Sequence, residues 1–213
     1  MASSSTSDPA RDLARLTAEI RRCRICRDRP DGPPLPHEPR PVLRPSVTAR
    51  IVVCGQAPGT RVHASGIPFT DPSGVRLRAW MGVSETEFYD QARIAIVPMG
   101  FCFPGQDARG ADLKPRRECA ATWHRRLFDT MPQLDLFVLV GGYAHAWHLG
   151  GRVRSSMTET VADWRAYAAT APGARVVLPL PHPSWRNNGW LRANPWFEED
   201  LLPNLRREVR QRL

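Results

Sequence analysis

Lysine is all but missing. Lys114 is the single lysine of the chain, so arginine carries nearly every one of the 30 Lys and Arg charges. Acidic residues are fewer, 21 Asp and Glu, and the imbalance leaves a formal charge of +9 and a pI near 10.3. No run approaches the ~20 apolar residues a bilayer helix needs, which argues against a membrane-spanning chain. Met1 to Ser7 is polar and leads into no apolar stretch, so no export signal is expected and a cytoplasmic chain is. With 213 residues and 42% apolar composition the chain can bury a core without disulfides.

What is present points first to anions. Arginine meets phosphate as a bidentate fork, so a nucleic-acid partner is physically easy. A solvated basic surface and a GC-rich codon bias also fit the same charge. The five cysteines, without an export signal, suit metal ligands or buried thiols better than disulfides.

Residues 1–8 read as disordered and residues 9–213 as one domain. Asp8 and Pro9 make a helix start, with Leu13, Leu16 and Ile20 on one face, running into Cys23-Arg24-Ile25-Cys26. Arg29 to Ala49 holds seven prolines and reads as an extended connector. Four apolar runs follow: Ile51–Cys54, Arg93–Val97, Leu136–Val140 and Arg175–Leu180. Being apolar throughout, they suit strands of a parallel sheet buried on both faces. Helical patterns alternate with them. Leu77, Trp80 and Met81 mark one, and Ser84 with Glu87 forms a capping box for another. Pro115 is expected to open a helix carrying Cys119, Trp123, Leu127 and Met131, and Val161 to Ala168 another. Asn194-Pro195 is expected to begin the last. The expected fold is an α/β/α sandwich around four parallel strands.

In such sheets ligands bind beyond the carboxyl ends of the strands. The first strand ends in Gly55-Gln56-Ala57-Pro58-Gly59, continuing through His63, Phe69 and Asp71 to Gly74. The fourth ends in Pro181-His182-Pro183-Ser184-Trp185-Arg186-Asn187-Asn188. Alone, the first set of glycines also fits a tight turn. No Gly-Lys-Ser/Thr follows, so a P-loop is disfavoured.

Together, in this order and with Phe69 between them, the two loops resemble the motif pair of the uracil-DNA glycosylase superfamily. The cysteines resemble its iron–sulfur classes: Cys23 and Cys26 form the first pair, and Cys102 follows the second strand. Cys119 comes sixteen intervening residues later. The resemblance implies a [4Fe–4S] cluster on Cys23, Cys26, Cys102 and Cys119. Read without it, the first pair also fits a zinc half-site and the other two fit buried thiols. Cys54, on the first strand, reads as core.

The resemblance further implies a monofunctional glycosylase, a monomer that flips uracil or another deaminated base from DNA and hydrolyses its bond to the sugar. The alternative is a damage-binding protein of the same fold without hydrolysis; a small-molecule hydrolase is a more distant one. His182 would bond the departing base anion, and Phe69 would stack on the base unless it is only core. Gln56 would shape the pocket, along with Gly55, Ala57, Pro58 and Gly59. Ala57 departs from the water-positioning aspartate of familiar members, and Asp71 resembles the downstream aspartate of one iron–sulfur class. Asp71 also fits a turn before Pro72. His63 is a second candidate for water or phosphate. Pro98 replaces an asparagine that reads the base, which opens specificity to xanthine, hypoxanthine or 5-substituted uracil. His-Pro-Ser-Trp-Arg-Asn resembles the single-strand-selective class, making Arg186 the wedge into the stack, Ser184 a phosphate contact, and Asn187 and Asn188 its lining. No lysine lies where a Schiff base would form.

Overall fold

The computed structural model describes residues 8–168 and 175–213. Four parallel strands form its sheet, β1 (Ile51–Cys54), β2 (Ile94–Ile96), β3 (Leu136–Val140) and β4 (Val176–Leu180), in the order β2-β1-β3-β4. The expected α/β architecture is what forms. The alternation of each strand divides its residues between two cores. Val52, Cys54, Ala95, Val97, Phe137 and Leu139 face one. Ile51, Val53, Ile94, Ile96, Leu136 and Val138 face the other.

Helices cover both faces. The first core packs against α1 (Pro9–Arg21), with the short α2 (Ile25–Asp28) beside it. In α1, Asp8 caps the helix by accepting from the Ala10 N–H at 3.0 Å, and Leu13, Leu16 and Ile20 turn inward. Asp8 is therefore an ordered cap; the rest of the segment expected to be disordered, residues 1–7, lies outside the described residues. After β1 come α3 (Thr60–Ser65), α4 (Pro72–Met81) and α5 (Glu85–Tyr89), the last with the expected Ser84–Glu87 capping box. After β2, α6 (Arg117–Asp129) turns Cys119, Trp123 and Leu127 inward and ends short of Met131, which is buried just beyond its cap at Thr130. It starts two residues beyond Pro115, because Arg116 is still extended (ψ 122°) and serves as its cap.

After β3 the chain forms α7 (Gly142–Leu149), α8 (Met157–Ala162) and α9 (Trp164–Ala168). The single helix expected over Val161 to Ala168 is thus two short ones, separated at Asp163. The final helical stretch begins directly after Asn194-Pro195, as expected, but without the expected side-chain cap. Asn194 closes α10 (Asn188–Ala193), and its side chain bonds the Trp190 carbonyl and the Trp196 indole instead of capping a helix. A π turn at Phe197–Leu201 then leads into α11 (Leu202–Arg210), which buries Leu202, Leu205 and Val209.

Both edges of the sheet are handled locally. The proline-rich connector lies along β2, where Arg44 and Ile96 exchange two backbone hydrogen bonds of 2.8 Å. β4 is the opposite edge, which is where a strand tolerates Pro179. Among the described residues no helix is long and apolar enough to cross a membrane.

Candidate active site

A cavity of about 620 Å³ opens beyond the carboxyl ends of β1 and β4. The loop after β1 brings Gln56, Ala57, Pro58 and Gly59, the N-terminus of α4 brings Asp71, and the loop after β4 brings His182 through Asn187. The cavity narrows into an inner recess, walled by Gly55, Phe69 and Pro98, that shares Gln56 to Gly59, Asp71 and His182 with it.

Phe69 is held in place under strain. Its φ of 58° is the one left-handed non-glycine conformation among the described residues, a state costing roughly 1–3 kcal/mol. Its surroundings over-determine it. A Cβ on Gly55 would stand 3.1 Å from the tip of the Phe69 ring, and one on Gly74 would stand 1.8 Å from the Phe69 carbonyl oxygen. The Tyr89 hydroxyl donates to the carbonyl of Pro68 at 2.9 Å, and the Phe69 ring meets Phe88 edge-on at 5.9 Å. Glycine at 55 and 74 is thus what lets the ring form a wall of the recess.

His182 is positioned through its backbone. His145, buried on α7, meets the carbonyls of Leu139 and Leu180 through Nε2 at 3.2 and 3.0 Å, tying the ends of β3 and β4 together. The Asn187 amide donates to the His182 carbonyl at 2.7 Å. Burial holds the imidazole below its ordinary pKa, opposed by the nearby charges of Asp71 and Asp112. A depressed pKa keeps the ring neutral at neutral pH, with one N–H to donate. Asp71 is the N-cap of α4, its Oδ1 accepting from the Gly74 N–H at 3.3 Å, and it lines both the cavity and the recess. Arg76, one turn along α4, donates to the Ser184 carbonyl at 3.0 Å and so fixes the two walls to each other. At the rim Trp185 is 72% exposed, with the Arg186 guanidinium 5.7 Å from its ring.

The family model of the uracil DNA glycosylase superfamily matches residues 43–206. The chain belongs to the uracil DNA glycosylase superfamily. Membership supports a glycosylase hydrolase that acts on DNA. Within this superfamily fold, two segments more than a hundred residues apart, around Asp71 and around His182, meet at one recess.

The glycosylase fold does not gather every residue expected at the site. His63 lines neither the cavity nor the recess. Its ring lies tilted against that of His37, centroids 4.3 Å apart, and near Phe103, while its neighbour Val62 faces the cavity. Asn188 also lies off the lining. Ser184 lines the cavity, with its hydroxyl accepting from the Arg186 N–H at 3.2 Å as the cap of a short 3₁₀ turn. Three contributors escaped the sequence reading: Arg76, His145 and Asp112. None stands in a motif, and the one available signal was that Asp112 lies in the loop between two of the cysteines.

Cys23, Cys26, Cys102 and Cys119 line one small apolar pocket, closed by Pro39, Pro41, Phe101 and Trp123. Among the described residues no group of three or more Cys, His, Asp or Glu side chains is arranged to hold a metal ion as it stands. The donor chemistry nonetheless suits one. Four thiols from three segments face a common apolar space, and two already accept N–H bonds, Cys119 from Phe101 at 3.3 Å and Cys23 from the Trp123 indole at 3.4 Å. Burial pushes Cys26 up to about 11 and Cys102 up to about 12, so without a cation these are inert thiols. Cys54 is fully buried on β1 and takes no part.

Proposed function

We propose that this superfamily member is a monofunctional DNA glycosylase that flips uracil, or another deaminated base, out of DNA and hydrolyses its N-glycosidic bond. It would act in the cytoplasm as a monomer. The observation that carries the reading is the recess itself: His182, Asp71 and Phe69 line it together, and it adjoins a cavity lined by Arg61, Arg76 and Arg186.

The arrangement supplies each need of the reaction. The flipped base stacks on Phe69 in the recess, its cost of unstacking offset by that contact. Water attacks C1′ of the deoxyribose. The C1′–N bond breaks, and its electron pair leaves with the base as an anion. Neutral His182 donates a hydrogen bond to that anion where its charge develops. The proton of the attacking water passes to the Asp71 carboxylate and from there to solvent. Arg186, at the exposed rim, fills the hole left in the stack, and the neighbouring arginines hold phosphates. Lys114 does not line the cavity, so no Schiff base forms and the reaction stops at the abasic site.

Base choice follows from what the recess offers. Among the described residues that line it, Gln56 alone carries a side-chain amide, and Pro98 offers no side-chain donor. Xanthine, hypoxanthine and 5-substituted uracil therefore belong in the substrate panel. Cys23, Cys26, Cys102 and Cys119 would hold a [4Fe–4S] cluster, which when bound supplies a structural clasp between the N-terminal segment, the loop after β2 and α6.

The deciding experiment is alkaline strand cleavage of a labelled oligonucleotide with one uracil opposite guanine. Wild-type protein is expected to release the base, and His182→Ala to do so 10²–10³-fold more slowly, about the loss for one preorganised donor. Failure on uracil, xanthine and hypoxanthine strands alike would overturn the enzyme reading. Ala57, where familiar members position water, favours a damage-binding protein as the second reading, which tight binding to such strands without cleavage would support.

A further inference from the structure

The cavity holds a carboxylate that the mechanism above does not use. Asp112 sits on a small hairpin between Cys102 and Cys119. Leu113 donates to the Gly105 carbonyl and Asp107 to the Ala111 carbonyl, both at 2.9 Å, with Gln106 and Asp112 paired between them. The turn is braced from inside. Asp107 Oδ1 accepts from the N–H groups of Arg109 and Ala111 at 2.9 Å each, and Gly110 takes the left-handed conformation that the bend requires (φ 75°). The Gln106 amide then donates to Asp112 Oδ1 at 3.2 Å. The other oxygen, Oδ2, stands 3.0 Å from where a Cβ on Gly59 would be, so the carboxylate lies directly against the loop after β1.

This placement works against the simplest purpose of the groove. A surface that binds phosphates through Arg61, Arg76 and Arg186 is weakened by a fixed negative charge on its wall. The same charge is favourable toward a cation, and the reaction supplies one there, the cationic sugar formed as the C1′–N bond breaks. Its depth fits that species. Asp112 lines the outer cavity and not the inner recess, whereas Asp71 and His182 line both. With the base in the recess, the attached sugar would sit where the recess meets the cavity that Asp112 lines. Asp71 already gives one oxygen to the N-terminus of α4, while Asp112 is held only by a neutral amide. Asp112 and His182 line the same cavity, and the charge of Asp112 acts on the imidazole.

The geometry points to Asp112 as a second carboxylate of the active centre, which stabilises the sugar cation and which the hairpin serves to deliver. Asp71 orients the water; Asp112 faces the charge left behind. The inference rests on the glycosylase reading, and it carries a signature that a mere brace would not. Asp112 disfavours the polyanionic ground state and favours the cationic transition state.

The test uses Asp112→Asn, which preserves shape and the acceptor for Gln106 on an exposed residue. Single-turnover excision of uracil is expected to slow at least tenfold. Binding to DNA bearing a non-hydrolysable 2′-fluoro-arabino-uridine is expected to be unchanged or tighter. A second readout needs no turnover: DNA with a protonated pyrrolidine abasic analogue against DNA with the neutral tetrahydrofuran analogue. Wild type is expected to prefer the cation, and Asp112→Asn to lose most of that preference. Asp107→Ala, which loosens the hairpin but leaves the carboxylate, is expected to fall between them. Asp112→Asn matching a wild type that excises uracil and prefers the cation would overturn the role of Asp112 alone. A wild type that neither excises nor discriminates between the analogues would overturn the glycosylase reading and this inference with it.

Discussion

Acidification from pH 7.5 to 5 is expected to cost the folded protein about 2 kcal/mol through His124 alone. His124 is 1% exposed on α6, between Phe101 and Phe128; one ring nitrogen bonds the Pro98 carbonyl at 3.0 Å and the other has no partner. Burial pushes its pKa from an ordinary 6.5 down to about 4, partly offset by the Pro98 bond. The folded ring thus stays neutral where the unfolded ring binds a proton. Its stabilisation is complete above the unfolded value, declines between pH 6.5 and about 4, and levels off below. Between those limits the loss totals about 3.4 kcal/mol at 1.36 kcal/mol per unit. His148, pushed down to about 3 by burial and by the charges of His124 and Arg175, acts in the same direction. Urea unfolding followed by fluorescence at pH 7.5 and 5 measures the sum. The His124→Gln variant, which cannot titrate, isolates one share. With a urea dependence of about 2 kcal/mol per molar, its midpoint should drop about 1 M less than wild type on acidification. Equal drops would refute the argument.

Other perturbations test the site and its supports. Gly74→Ala would set a methyl 1.8 Å from the Phe69 carbonyl oxygen, a clash with backbone, and should cost at least the ~1–3 kcal/mol of overpacking and slow excision more than tenfold. An unchanged melting temperature would contradict the strained placement of Phe69. Cys102→Ser should lower bound iron and melting temperature together in protein purified without air; iron retained at the wild-type level would remove Cys102 from the ligand set. Arg186→Ala should slow excision from duplex DNA more than from single strands, since only a duplex leaves a hole to fill, and equal losses would argue against the wedge.

Much of the site was readable because it is local. The runs Ile51–Cys54 and Leu136–Val140 are apolar at every position, a pattern that suits a strand buried on both faces, and both formed strands. Gly55 to Gly59 and His182 to Asn187 each follow a strand directly, so their place at the mouth of the sheet followed from chain order. The capping box at Ser84 and Glu87 needs three residues of contact and nothing else.

The failures share a cause in direction and distance. His63 and Val62 are adjacent, but α3 turns each residue about 100° from the last, so one faces the cavity and the other faces His37. The phase of a six-residue helix depends on what packs against it. Asp112 reaches Gly59 across more than fifty residues of chain, through a hairpin with no apolar pattern, and Arg76 meets Ser184 across more than a hundred. The four strands, the two chemical loops and the spacing of the cysteines belong to the sequence by itself, since each depends on short-range pattern. The strand order, the sharing of one recess by Asp71 and His182, the meeting of four thiols in one pocket, and the turning of Asp112 into the groove were decided only by tertiary packing. These depend on contacts whose partners lie far apart along the chain.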